Sequence, residues 1–329
     1  MKIVSDLEAN DISIPELTKM IYKARQNSEL RDNDRSIESI EKGLPDFLKN
    51  YKSIIARSEE TNELIGWLGV SFGFIDERAV IAGGWMPIVL PIPGQEENAI
   101  ASELIQAAKK LVGKYRKELL NVYFPRYTAE LAPFFRKTRE WYLSQGIEPM
   151  AEHIYMECEL LGRDMTDPEL PEGYTVSPLT STDIDDLYNC YYETMITGND
   201  RIFLAEREEH RRHFFIVLYD RNEPGINEEA SLALVKDGDI VGYCQVHSGW
   251  GMKGQEELSF GIHPDHRRKG LGKSLLTMSM NRVAKQGKNM CLEVDTENPV
   301  AIHLYESLGF KEAARLGSCT WRAKVTIER

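Results

Sequence analysis

The sequence predicts an α+β fold made of two tandem copies of one domain. Three observations predict it: each half repeats one order of short apolar strands and amphipathic helices, a polar segment separates the halves, and short stretches of one half match the other. The 329 residues are enough for two domains that each bury a core. Each domain is expected to have a mixed, mostly antiparallel central sheet flanked by helices.

The first half alternates strand and helix patterns up to about residue 161. Apolar residues Ile100, Leu104 and Ala108 recur at helical spacing, so they define one face of a helix. The predicted strands are residues 1–4, 53–57, 64–74, 79–90, 119–124 and 151–161. The predicted helices are residues 14–25, 36–51, 98–115 and 128–144.

A polar segment at residues 163–173 divides the chain. It carries two prolines and no apolar periodicity, which is typical of a linker. The sequence therefore predicts one domain at residues 1–162 and a second at residues 174–329.

The second half repeats the order of the first. Asp237-Gly238 between two apolar runs is a strong hairpin signal. The predicted strands are residues 174–178, 231–236, 240–247, 256–263, 290–294 and 310–327. The predicted helices are residues 183–195, 206–219, 272–286 and 299–308.

Two short matches support a duplication. Residues 63–67 (ELIGW) match residues 239–243 (DIVGY), and residues 141–147 (WYLSQGI) match residues 304–310 (LYESLGF). The second match places Tyr142 opposite Tyr305. We expect the two halves to be copies of one fold.

Composition excludes several classes of protein. A net charge of −12 argues against a nucleic-acid surface. Five cysteines, an odd number without C-x-x-C spacing, argue against a zinc site or a disulfide framework and for a reducing compartment. The N-terminal residues lack a signal-peptide pattern, and no apolar run approaches the length of a membrane span. We expect a cytoplasmic protein with no metal and no membrane partner.

The segment at residues 267–272 (RRKGLG) lies between a predicted strand and a predicted helix. Its glycines let successive main-chain N–H groups converge at a helix N-terminus, so we predict an anion site that suits a diphosphate. A P-loop would need glycine where Arg267 stands, and a dinucleotide-binding fingerprint would need glycine at Leu275.

What fits is R-x-x-G-x-G after a strand, followed downstream by Asn298 and by L-Y-x-x-x-G-F at residues 304–310. This pair of motifs resembles the GNAT superfamily of acyl-CoA N-acetyltransferases. The tandem arrangement with one intact loop resembles the group that includes mycothiol synthase. In the first half, residues 96–101 (EENAIA) replace the loop with two carboxylates and no glycine, so that half is predicted to be a degenerate copy.

The resemblance implies a set of residues that bind acetyl-CoA. The strand at residues 260–263 would pair with the pantetheine arm, and the Ile262 amide would stabilise the oxyanion. An ordinary N-cap role for Asn298, and a merely solvated role for Arg268 and Lys269, stay open. The predicted cofactor-binding residues are Phe260, Gly261, Ile262, Arg267, Arg268, Lys269, Gly270, Leu271, Gly272, Lys273 and Asn298.

Two residues are predicted to be catalytic. An amine with a pKa of about 10.4 must lose a proton before it attacks, and Glu256 is the candidate base. The alternative for Glu256 is a solvated charge at a strand edge. Tyr305 is the candidate acid that protonates the departing thiolate, and its alternative is a buried aromatic residue on an amphipathic helix.

The expected reaction moves an acetyl group from acetyl-CoA to a primary amine of a small molecule by direct attack in a ternary complex. Three alternatives are kept: a cysteinyl-sugar amine as in mycothiol synthase, a protein or peptide amine, and a non-catalytic acyl-CoA-binding module. The sequence leaves the acceptor, the preferred acyl length and the oligomeric state open.

Overall fold

A computed structural model describes residues 1–27, 36–75, 78–81, 86–94, 96–162, 166–219 and 225–323. The chain forms two compact units, one of Met1–Ala151 with Arg315–Arg329 and one of Glu152–Ala314. Their boundaries differ from those expected at residues 162 and 174. Parts of three predicted segments, residues 82–85, 163–165 and 324–327, lie outside the described residues.

The strands and helices follow the predicted alternation. The described strands are β1 Lys2–Leu7, β2 Lys52–Arg57, β3 Leu64–Ile75, β4 Arg78–Ile81, β5 Ile88–Val89, β6 Leu119–Tyr127, β7 Glu148–Cys158, β8 Tyr174–Pro178, β9 Leu232–Lys236, β10 Asp239–His247, β11 Glu256–Ile262, β12 Met290–Asp295 and β13 Lys311–Arg322. The described α-helices are α1 Ile14–Gln26, α2 Ile37–Leu48, α3 Glu97–Lys114, α4 Ala132–Ser144, α5 Ile184–Ile196, α6 Arg201–Ala205, α7 Glu208–Leu218, α8 Leu271–Lys285 and α9 Pro299–Ser307. No described helix is long and apolar enough to cross a lipid bilayer.

The first unit has a sheet of order β1-β2-β3-β4-β6-β13. Its last strand comes from the C-terminus, because Arg315–Arg322 pairs antiparallel with Leu119–Tyr127. The β4–β6 pair is parallel. Helix α3 buries Ile100, Leu104 and Ala108 in the core, as the helical spacing predicts.

One predicted strand of this unit is wrong in detail. Residues 79–90 were expected to form a single strand, but the structure has β4 and β5 as separate short strands. β4 pairs with β3 and β6, whereas β5 pairs with β3 at Gly66 and Trp67. Pro87 precedes β5 and lacks the N–H that a continuous ladder would need.

Tyr142, the counterpart of Tyr305, is a packing residue in the first unit. Its hydroxyl is fully buried and donates a 2.7 Å hydrogen bond to the Met86 carbonyl. At the start of α3, the Glu97 carboxylate pairs with Lys137 at 2.6 Å. Acidic side chains thus stand at the start of α3, and the assignment of this half as a degenerate copy stays a prediction.

Replacing Tyr142 with phenylalanine should lower stability and leave turnover unchanged. The substitution leaves the buried Met86 carbonyl without its hydrogen-bond donor, which costs about 1–3 kcal/mol. Thermal unfolding would measure this loss, with Tyr22→Phe as control because no described residue hydrogen-bonds to the Tyr22 hydroxyl. An unfolding midpoint equal to that of the control would contradict this structural role.

The second unit has a sheet of order β7-β12-β11-β10-β9-β8. It borrows β7 from the first half of the sequence, since His153–Cys158 pairs antiparallel with Met290–Asp295. The β11–β12 pair is parallel and the others are antiparallel. The predicted fold class, mixed and mostly antiparallel sheets with flanking helices, is confirmed.

Alternation along the strands assigns the two faces of this sheet. Leu258 and Ile262 of β11 pack with Leu275 of α8 and Tyr305 of α9. On the other face, Tyr243 of β10 joins a second cluster with residues of α5 and α7. Helices α8 and α9 therefore cover one face, and α5 and α7 cover the other.

The parallel strands β11 and β12 part soon after they meet. Their pairing consists of Glu256 with Met290 and Glu257 with Cys291. Beyond Glu257, β11 stays paired with β10 up to Ile262. The sheet of the second unit thus opens between the carboxyl ends of β11 and β12.

Candidate active site

The loop after β11 forms a row of main-chain donors. Arg268 and Gly270 have positive φ angles of 66° and 77°, and α8 begins at Leu271. Its first helical bond is from the Ser274 amide to the Gly270 carbonyl, 3.1 Å long. No described residue accepts a hydrogen bond from the amides of residues 268–273. Since the positive end of the helix dipole lies here, the row is suited to an anion.

Gly272 brings this loop against β11 and α9. A Cβ atom at this position would lie 3.3 Å from Phe260 Cζ and 3.7 Å from Leu304 Cδ2. The ring centroids of Phe260 and Tyr305 are 6.5 Å apart. The loop, the strand edge and the tyrosine that the sequence predicts to act together therefore lie in one place.

The main chain of β11 presents two amides along its open edge. The His263 amide donates to Val241 of β10, whereas the Glu256 amide donates to Asn289 on the side of β12, both at 2.9 Å. Because a strand alternates with a period of two, the Phe260 and Ile262 amides face the same side as that of Glu256. The described pairing with β12 ends before they are reached.

Tyr305 borders this opening from α9. The residue is only 6% exposed, and its ring contacts those of Phe260 and Phe310. No described side chain or main-chain group hydrogen-bonds to its hydroxyl, in contrast to Tyr142. Burial raises the pKa of Tyr305, so the hydroxyl is protonated at neutral pH, which is the form that a general acid needs.

Comparison with known proteins assigns part of the second unit to a family. Residues 182–310 match the acetyltransferase (GNAT) family, a segment that includes the loop, β11 and Tyr305. This segment is a GNAT acetyltransferase domain. Members of this family use acetyl-CoA as co-substrate, and the predicted resemblance is confirmed.

Relatives in sequence are named for acetyl transfer. The chain is 28% identical over 199 residues to a mycothiol acetyltransferase of Streptomyces avermitilis and 29% identical over 174 residues to one of Streptomyces coelicolor. These alignments cover 56% and 50% of this chain and span 61% and 52% of the relatives' own lengths. An L-amino acid N-acyltransferase of Escherichia coli is 33% identical over 86 residues, covering 25% of this chain and 49% of its own.

Two solved structures show the same fold. A tandem GNAT protein from the clavulanic acid biosynthesis pathway has a TM-score of 0.56 at 17% identity and covers 99% of both chains. A GCN5-related N-acetyltransferase of Sphaerobacter thermophilus has a TM-score of 0.59 at 17% identity, with 97% of this chain and 95% of its own covered. The expected tandem organisation is supported by this likeness.

Asn298 caps the first turn of α9 in the GNAT domain. Its side-chain oxygen accepts a 3.2 Å hydrogen bond from the Ala301 amide. The N-cap interpretation is therefore confirmed, and binding of the pantetheine arm by the remaining amide nitrogen stays a prediction.

Arg267 makes contacts that the sequence did not predict. Its Nε donates to the Ile262 carbonyl at 2.9 Å, and Nη2 donates to the Thr194 carbonyl and to Thr197 Oγ1 at 3.2 and 2.8 Å. Nη1 reaches the Thr197 carbonyl at 3.5 Å. Burial lowers the pKa of Arg267. Four of its five N–H groups are thus used within the protein, which leaves one for a phosphate.

The other basic side chains of the loop reach solvent. Arg268, Lys269 and Lys273 are exposed. Lys269 Nζ also donates to the Tyr174 hydroxyl and the Asp265 carbonyl, each at 3.2 Å. Their role in phosphate binding stays a prediction.

Gly261 and Leu271 have positions set by packing. A Cβ on Gly261 would lie 2.2 Å from Thr194 Cγ2, so glycine is required for α5 to approach β11. The Gly261 main chain pairs with Tyr243 of β10. The Leu271 side chain is buried in the core and only its amide faces the loop.

Glu256 lies at the start of β11 and has a full set of partners. Its carboxylate is 1% exposed, pairs with Lys288 at 2.8 Å, and accepts from Asn227 Nδ2 at 2.7 Å and Ser248 Oγ at 2.9 Å. Because side chains alternate between the two faces of a sheet, the Glu256 side chain lies on the face that α8 covers. The alternative interpretation as a solvated edge charge is wrong for this buried group, and its role as a base stays a prediction.

Sequence analysis missed two carboxylates on the other face. Glu257 of β11 and Glu293 of β12 are half-buried. By alternation along the strands, they lie on the face opposite to that of Leu258 and Leu292. Glu293 stands two residues beyond Cys291, where the strands have already parted. The alternation of side chains along a strand would have predicted the sheet face on which these two carboxylates lie. The residue at which β11 and β12 separate is not encoded in a local sequence pattern.

A charged cluster lies at the end of β12. Arg201 binds both oxygens of the Asp295 carboxylate, with Nη2 2.7 Å from Oδ1 and Nε 3.0 Å from Oδ2. Burial would raise the pKa of Asp295, but hydrogen bonds from Arg201 and from the Glu297 amide lower it overall. His153, Asp200 and Asp295 offer ligand atoms within 4.8 Å of one another. The guanidinium on Asp295 favours an ion pair over a metal ion there.

Proposed function

We propose that the second unit transfers an acetyl group from acetyl-CoA to a primary amine of a small molecule. The observation that carries this proposal is the row of solvent-facing amides at residues 268–273, which lies at the end of a strand whose open edge faces Tyr305. If the amides of residues 268–273 bind an anionic group, the rest of the ligand can extend along the open edge of β11.

Each part of acetyl-CoA has a matching group. The diphosphate would accept hydrogen bonds from the loop amides, with Arg268, Lys269 and Lys273 adding positive charge. The pantetheine arm would lie along β11 and bond to the Phe260 amide as an added strand does. The Ile262 amide would then donate to the thioester oxygen as negative charge develops on it.

The chemistry is a direct attack. The neutral amine adds to the thioester carbon and forms a C–N bond, and the carbonyl oxygen takes up the negative charge. Collapse of this intermediate breaks the C–S bond, and the departing thiolate takes a proton from the Tyr305 hydroxyl. The amine proton leaves to a base, so the products are an acetamide and the free thiol of coenzyme A.

The base is best placed on the α5 face. Tyr305 approaches from the α9 face, which apolar residues fill, so the amine approaches from the opposite side of the sheet. Glu293 faces that side at the opening, whereas Glu256 faces α8 and is bound by Lys288. We therefore assign proton removal to Glu293 and structural support to Glu256.

The names of the relatives support two classes of small-molecule acceptor, and a screen tests both. The mycothiol acetyltransferases favour a cysteinyl-sugar amine, and the L-amino acid N-acyltransferase favours an amino acid. Release of free thiol from acetyl-CoA would be followed with both amines, with diamines and with peptide N-termini. Peptides as the only acceptors would contradict the small-molecule assignment, and no release with any amine would favour a non-catalytic module.

Binding of the diphosphate by the amides of residues 268–273 is tested by a matched pair of variants at Gly270. Asparagine and aspartate both tolerate a positive φ, and a Cβ at Gly270 meets no atom within 4 Å. Gly270→Asp should raise the KM for acetyl-CoA about 10-fold over Gly270→Asn, because its charge opposes the diphosphate. Equal KM values for the two variants would place the diphosphate elsewhere.

A further inference from the structure

The turn between α5 and α6, residues 197–200, lies between the ends of the two parting strands. Arg267 ties one side of this turn to the end of β11, because its guanidinium bonds both to Thr197 and to the carbonyl of Ile262, the last residue of the strand. Its third partner is the Thr194 carbonyl in the last turn of α5. The β11 side of the opening is thus held to α5.

The other side of the turn is tied to the end of β12. Arg201, which follows the turn, binds Asp295 with its side chain and also through its main-chain amide at 3.0 Å. Asn199 Nδ2 donates to the Glu297 carbonyl at 3.0 Å. The Asp295 side chain is 1% exposed. One turn therefore reaches both strand ends at the point where the sheet is open.

We infer that Arg267, the turn at residues 197–200 and the Arg201–Asp295 pair form a brace that sets the width of the active-site opening. This inference rests on the proposed function. The β11 side carries the amides that would hold the thioester, and the β12 side leads into α9 with Tyr305. A constant width keeps the Tyr305 hydroxyl within reach of the departing sulfur, so Arg201, Arg267 and Asp295 are positioning residues.

The brace predicts an effect on kcat and not on cofactor affinity. Asp295→Asn and Arg267→Gln should each lower kcat about 10-fold, since misalignment of about 1 Å costs up to 100-fold. The dissociation constant for coenzyme A, measured by calorimetry, should change less than about 2-fold in either variant, which is small on the affinity scale. If Arg267→Gln raised the Kd for coenzyme A and kept the parent kcat, Arg267 would be a phosphate ligand. That result would overturn the brace.

Non-additivity distinguishes a brace from two separate structural bonds. Releasing either end frees the turn, so the double variant Asp295→Asn/Arg267→Gln should lose about 10-fold in kcat, as each single variant does. Independent contributions would multiply to about 100-fold and would overturn the inference. Thr197→Val, a milder change that removes the hydroxyl oxygen to which Arg267 donates, should also lower kcat.

Hydrogen exchange tests the brace without turnover. In either single variant of the full chain, amide exchange should rise across residues 197–201, including the end that was not mutated. A rise confined to the mutated end would overturn the brace. Asp185→Asn is the matched control, because Asp185 of α5 pairs with Arg212 of α7 at 2.5 Å on the protein surface and makes no described contact with the turn. If the parent chain shows no turnover, the proposed function fails, while exchange still decides the brace.

Discussion

Tyr305→Phe should lower kcat about 100-fold and leave the KM for acetyl-CoA within about 2-fold of the parent value. General-acid catalysis contributes about 100- to 10,000-fold, and the lower figure applies because a thiolate is a fair leaving group without a proton. The substitution removes one hydroxyl that no described residue bonds, so the packing against Phe260 and Phe310 is kept. Steady-state release of free thiol from acetyl-CoA, with the best amine found in the screen, is the measurement.

The control is Tyr22→Phe, a partly buried tyrosine of α1 in the first unit. It should turn over at the parent rate. If Tyr305→Phe also kept the parent rate with an unchanged pH profile, the thiolate would leave without this proton, and Tyr305 would be a core residue only.

Glu293→Gln should lower kcat/KM for the amine about 100-fold at neutral pH, because an acceptor ammonium is then deprotonated only by water. The loss should shrink as pH rises toward the amine pKa of about 10.4, where the neutral amine becomes abundant. A pH–rate profile of the variant and the parent, measured with one amine, tests this. Glu306→Gln on the exposed side of α9 is the control.

Glu256→Gln should instead lower the free energy of unfolding. The variant loses the ion pair between its buried carboxylate and Lys288, whose side chain is 45% exposed, and a hydrogen bond to a charged group contributes about 1.5–3 kcal/mol. Its kcat should stay within a few-fold of the parent. If Glu256→Gln lost about 100-fold in kcat with normal stability and Glu293→Gln lost none, the general base would be Glu256 and not Glu293.

Local patterns predicted most of this protein. The glycines of residues 270 and 272, the strand before them and the helix after them gave the loop, because φ freedom and helix starts are properties of a few neighbouring residues. The Asp237-Gly238 turn and the apolar face of α3 were also found from short-range spacing. The assignment of Tyr305 and Phe260 to the same site as this loop required the resemblance to a known family.

Long-range contacts could not be read from the sequence. Arg267 looked like a phosphate ligand because it stands in a basic loop, yet its partners Thr194 and Thr197 lie some seventy residues earlier. The sequence left Glu256 either as a base or as a solvated edge charge, because its partners Asn227, Ser248 and Lys288 come from three separate segments. Such contacts depend on which elements the tertiary fold brings together.

The exchange of closing strands has a consequence for synthesis in the cell. The sheet of the first unit includes Arg315–Arg322, so its final strand is supplied only after the whole of the second unit has been synthesised. Until then the edge of β6 is without its partner, and exposed strand edges promote aggregation. A chaperone that shields this edge during translation would raise the yield of native protein, and expressing either half by itself would leave one sheet permanently short of a strand.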